Sequence, residues 1–99
     1  MKIETQKSGT ELTLIIEGKV DATTAPTLEI VLESWLPGVT KLVLDFAAVT
    51  FLASAGIRSI LSAMIQMKER QGTMILRNVA DNIKEVFVMT GLHTVLNFE

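Results

Sequence analysis

The stretch Lys41–Gln71 constrains the fold more than any other part of the chain. Leu42-Val-Leu-Asp45 is a near-continuous apolar run of strand length, too uniformly apolar to keep one face in water. A strand of that kind is central in its sheet or covered on both faces. Phe51-Leu-Ala-Ser-Ala-Gly-Ile-Arg58 turns out of it, and a helical pattern follows. Ile57, Ile60, Leu61, Met64 and Ile65 form one apolar stripe, while Arg58, Ser62, Gln66, Glu69 and Arg70 lie mainly away from it. Gln71-Gly72 closes the helix.

The segments on either side extend this pattern. Ile3–Lys7 reads as an edge strand, Ser8-Gly9-Thr10 as a turn, and Glu11–Glu17 as a second strand with Leu12, Leu14 and Ile16 on one face. The two form a hairpin. Gly18 ends the second strand and Lys19–Thr24 is a loop leading to a helix, capped by Thr23 or Thr24, with Pro26 in its first turn. Ala25, Leu28, Val31, Leu32 and Trp35 give that helix a buried face, and Pro37-Gly38 stops it. Thr73–Arg77 reads as another strand. Asp81–Thr90 reads as a third helix with Ile83, Val86, Phe87 and Met89 inward and Gly91 just past its end, and Thr94–Phe98 as a last short strand or extended tail. Trp35, Met64, Met67 and Met89 fall at helical spacing and read as core or core rim. After the hairpin, strands and helices alternate, which favours parallel pairing with right-handed crossovers. The expected class is α/β, a small mixed sheet with helices packed on it in one domain spanning residues 1–99.

Composition narrows the function. A net charge of −2, scattered Lys and Arg and few aromatic residues give no surface for a nucleic-acid backbone. Without cysteine, neither disulfides nor thiolate metal sites can form. Glu17, Asp21, Asp45 and Asp81 do not follow a metal-ligand spacing, and no Gly-x-Gly-x-x-Gly or Walker A pattern is present. No metal or cofactor is expected. Met1–Lys7 lacks the apolar core of a signal peptide, and no run approaches the ~20 apolar residues of a membrane span. A soluble, cytoplasmic domain is the expectation.

Ser54 is the residue with chemistry to offer. Serine is a preferred N-cap, and the strand-to-helix turn suits that role. Flanked by Ala53, Ala55 and Gly56, the hydroxyl also has no bulky neighbour to hide it from another protein's active site. A phosphate there would bring about −1.5 to −2 charge to the positive end of a helix, which tolerates an anion. A strand, a turn, a serine and a helix also describe a nucleophile elbow, but Leu52 stands in the first glycine position of Gly-x-Ser-x-Gly. Asp45, Ser54 and His93 could nominally form a triad, though nothing in the sequence brings His93 to Ser54. Asp21 reads as a loop or capping residue, and Arg58 as a solvated cation or a partner contact.

Four segments, in order, resemble the STAS domain and, within it, the stand-alone bacterial anti-sigma factor antagonists. Gly18-Lys-Val-Asp-Ala-Thr-Thr-Ala-Pro26 is similar to the family's Gly-x-Leu-Asp-x-x-x-Ala-Pro loop. Leu42–Phe51 is similar to its central strand and following turn, Leu52–Arg58 to its switch motif, and Thr90-Gly-Leu92 to the end of its last helix. The resemblance implies a non-enzymatic binding module controlled by phosphorylation. The unphosphorylated form binds an anti-sigma factor that is also a serine kinase and frees the sigma factor; the kinase phosphorylates the switch serine, and a metal-dependent phosphatase reverses it. Ser54 matches the phosphoacceptor; Asp21, Thr24, Ala53, Ala55, Gly56 and Arg58 match the partner surface. Ala53 replaces the Asp or Ser common before the phosphoacceptor, and Ala80 replaces a serine before the third helix, moving that cap to Asn78. The runner-up is a STAS subunit that serves as an unphosphorylated scaffold, for example on the ATPase of a lipid-transport complex.

Overall fold

The structure, a computed structural model, describes residues Met1–Glu99. Two strands open the chain, β1 (Lys2–Ser8) and β2 (Glu11–Val20), paired antiparallel. Helix α1 (Ala25–Trp35) leads to β3 (Lys41–Leu52), α2 (Ser54–Glu69) to β4 (Thr73–Arg77), and α3 (Asp81–Met89) with a single 3₁₀ turn (Leu92–Thr94) to β5 (Asn97–Phe98). The sheet order is β1-β2-β3-β4-β5, with β2 to β5 all parallel. The family of folds is the expected one, a mixed five-stranded sheet with three helices.

The three parallel crossovers step in the same direction, so right-handed connections bring all three helices to one face of the sheet. The core agrees. Leu12, Leu14 and Ile16 of β2, Leu42 and Leu44 of β3 and Leu76 of β4 join Leu28 and Leu32 of α1, Ile60 and Met67 of α2 and Phe87 of α3 in one cluster. No helix covers the other face. The apolar run in β3 is explained by its central place: Val43 points away from the helices, yet its flanking rows on β2 and β4 carry Thr13 and Ile75 and it is completely buried.

Several local expectations are corrected. β2 does not end at Gly18 but continues to Val20, with irregular pairing around Glu17 and Gly18 that absorbs the glycine. β3 is twelve residues long, so Phe51 and Leu52 are strand and not turn. It pairs with β4 only over Lys41–Asp45; Phe46–Leu52 runs on beside β2 alone. On α2 the buried face is Gly56, Ile57, Ser59, Ile60, Ala63, Met64 and Met67, and Ile65 is 47% exposed. Trp35 and Met89, 39% and 80% exposed, lie outside the core. Asn78 does not cap α3: its amide donates to Asp45 Oδ1 at 3.2 Å, and Ala80 holds the cap position without a side-chain bond. No helix is long and apolar enough to cross a membrane.

Candidate functional site

The β3–α2 junction lies at the carboxyl edge of the parallel strands, where loops and helix N-termini gather in open α/β sheets. Its geometry starts from Ala53, whose extended backbone (φ −114°, ψ 171°) ends the strand. The Ala53 N–H donates to the Val20 carbonyl at 2.9 Å, the last bond tying β3 to the end of β2. The Ile57 N–H then donates to the Ala53 carbonyl at 3.0 Å, opening the helix. Ala53 is therefore the N-cap and Ser54 the first helical residue, a correction to the expectation that the serine hydroxyl caps the helix. Alanine has nothing to cap with, and no side chain closes the first turn. The first amides of α2 point out of the helix with no intrahelical acceptor. Ser54 is exposed among them.

Gly56 explains why this turn can form. A Cβ there would sit 2.5 Å from Val20 Cγ1 and 2.8 Å from the Val20 carbonyl oxygen. Only hydrogen at this position lets α2 press onto the end of β2. Gly56 is buried, so the expectation that it belongs to an outward-facing partner surface is corrected: it packs. Ala53 and Ala55 are half-buried and Arg58 is exposed.

Through Val20 the same contact brings in the β2–α1 loop. Asp21 Oδ1 accepts from the Thr23 and Thr24 amides at 3.0 and 3.1 Å. Thr24 Oγ1 donates to the Lys19 carbonyl at 2.8 Å and lies 2.9 Å from the Asp21 amide, from which it accepts. Thr24 occupies the cap position of α1, but its hydroxyl closes the loop and caps no helix amide. Asp21 and Thr24 thus make a tight loop of fixed shape beside the start of α2. The sequence-expected residues Asp21, Thr24, Ala53, Ala55 and Arg58 come together around Ser54 at one edge of the molecule.

The serine-nucleophile arrangement is not assembled. α3 leaves the carboxyl edge of β4 and returns to the amino end of β5, so His93, just past α3, lies at the opposite end of the sheet from Ser54. Asp45 is occupied with the Ala47 amide (3.0 Å) and Asn78. Two further residues belong to this region. Phe51, hidden in what reads as a turn, is 49% exposed three residues before Ser54. Ser59 is the one polar residue among the buried ones, and its position three after Gly56 and four before Ala63 was the available signal.

The model of the STAS domain family matches residues 2–99, and the chain belongs to that family. Among curated relatives, BtrV of Bordetella bronchiseptica is 28% identical over 96% of this chain and 83% of its own length. The anti-sigma-B factor antagonist of Listeria monocytogenes is 26% identical over 100% of this chain and 89% of its own. Among solved structures, the anti-sigma factor antagonist SpoIIAA in its unphosphorylated form gives a TM-score of 0.80 at 16% identity over 99% of this chain and 87% of that one. The phosphorylated form of SpoIIAA, from Bacillus, gives 0.78 at 18% identity over 99% and 91%. At these identities the likeness to the solved structures is one of fold.

Proposed function

We propose that this protein is an anti-sigma factor antagonist whose binding state is set by phosphorylation of Ser54. The unphosphorylated edge formed by Asp21, Thr24, Ala53, Ala55 and Arg58, joined by Phe51, binds an anti-sigma factor that is also a serine kinase, and so frees a sigma factor in the cytoplasm. The kinase transfers phosphate from ATP to Ser54, and a metal-dependent serine phosphatase reverses it. Gly56 supports this surface from beneath.

The observation that carries the reading is the setting of Ser54: an exposed hydroxyl on the first residue of a sixteen-residue helix whose first turn no side chain caps. Exposure lets a kinase reach it. The positive end of the helix accommodates the phosphate, so the modification changes the surface without threatening the fold. A partner pressed onto small alanines would meet a bulky dianion instead, at a site where burying charge is costly. The names of the Listeria relative and of SpoIIAA, the latter studied with and without phosphate, support the same reading.

The test is incubation with ATP and a candidate partner serine kinase, followed by mass spectrometry and a binding measurement. Expected are one phosphate on Ser54, none on Ser54→Ala, and a complex that forms before phosphorylation and dissociates after it. Tight binding with no phosphate on Ser54 overturns the switch and indicates a STAS scaffold using the same edge as a fixed contact.

A further inference from the structure

α2 starts without a capping side chain, yet the direction in which Ser54 points depends on how the helix is rotated about its axis. The contacts of Ala53 and Gly56 with Val20 fix where the helix begins. Together with the buried stripe Ile57, Ile60, Ala63, Met64 and Met67 they set which face α2 turns to the sheet, and a polar bond to α1 one turn further on sets the helix against its neighbour. Ser59, 1% exposed, donates from Oγ to Glu29 Oε1 on α1 at 2.8 Å. At the other end of α2, the Arg70 guanidinium donates to the Leu36 carbonyl at the end of α1. These are the two polar ties between the helices, and a groove lined by Glu29, Ser59 and Arg70 runs between them.

We infer that Ser59 and Glu29 are a positioning pair for Ser54: their bond sets the final rotation of α2 against α1, so that the Ser54 hydroxyl faces outward beside the Asp21 loop. The two serines are five positions apart, which turns them about 140° from each other around the helix. With Ser59 held inward against α1, Ser54 is held toward solvent. The carboxylate makes this a charge-assisted bond, stronger and more directional than one between neutral groups. A hydroxyl carries one proton, and the Ser59 Oγ has a second acceptor in reach, the Ala55 carbonyl at 3.3 Å. That carbonyl lies on its own helix and cannot orient α2 against α1. It does give Ser59 a partner when Glu29 is absent, so removing Glu29 does not strand a buried hydroxyl.

The inference rests on Ser54 being the phosphoacceptor, and its experiment has an arm that does not. In ¹⁵N-labelled protein, residual dipolar couplings of the α2 amides in Ser59→Ala and Glu29→Ala should report a helix reoriented relative to the sheet, with Ser59→Thr close to wild type. With the serine kinase and ATP, the two alanine variants should lower kcat for phosphoryl transfer to Ser54 by about tenfold, as expected for a misaimed acceptor, with a smaller change in KM. Ser59→Thr should restore it. Unchanged dipolar couplings, or an unchanged kcat per folded molecule alongside a lower Tm, overturn the positioning role and leave an ordinary packing bond. Failure of the kinase to modify the wild type overturns the phosphoacceptor reading alone, and the couplings still decide whether the pair orients α2.

Discussion

At Gly56 the space a methyl group would need is already occupied. Alanine is the better helix former by up to about 1 kcal/mol, so propensity alone favours Gly56→Ala. The contact distances decide against it: the intruding Cβ would meet the Val20 carbonyl, which is backbone held by the Ala53 amide and cannot move aside cheaply. Overpacking of this kind costs about 1–3 kcal/mol, and a net loss of stability within that range is expected in urea denaturation. A variant as stable as wild type would show that α2 can lift off β2 freely. The glycine was legible in the sequence as part of the segment that resembles the family's switch motif, but its reason was not, because Val20 is thirty-six positions away. Ser54 is the converse case. The sequence singled it out correctly as the small polar residue at the turn, and its capping geometry was misread by one position because Ala53 and Ser54 are both plausible ends to an extended strand.

α2 is the element on which the electrostatics act. Ser54→Asp places a negative charge at the helix N-terminus, worth about 0.3–1 kcal/mol there. Arg58 follows at i+4 and forms no salt bridge in the structure, so an added anion gains a neighbour worth about 0.2–0.5 kcal/mol. Ser54→Asp is therefore expected to keep or slightly raise Tm while weakening binding of the proposed partner, and Arg58→Ala in that background should remove part of the gain. Unfolding of the aspartate variant, or wild-type affinity for the partner, would contradict the electrostatic account. Helix periodicity placed α2 correctly but put Ile65, which is exposed, on the buried face, and gave no face to Ser59. The serine is buried because α1 supplies a carboxylate that satisfies its hydroxyl.

Across the whole molecule, one core holds the five strands and three helices together. Phe87 of α3 is fully buried between Phe46 of β3 (ring centroids 6.3 Å apart) and Phe98 of β5 (5.6 Å). It joins the middle of the sheet to its two-residue edge strand, so Phe87→Ala should cost about 3–5 kcal/mol in a single cooperative transition. Against a total stability of about 5–15 kcal/mol for a domain, that is a large share. Retention of wild-type stability would mean the edge strand is held by other means. The order of elements, the parallel pairing and the central place of β3 were determined by the sequence itself, because period-two and period-3.6 patterns and turn residues act over a few neighbours. Tertiary structure alone decided that β3 overhangs β4, that all helices share one face, that Val20 carries the start of α2, and that Asp21, Thr24 and Arg58 gather around Ser54 while His93 stays at the far end. Those facts depend on strand register and crossover direction, which bring together residues far apart in the chain and leave no mark on any one stretch of it.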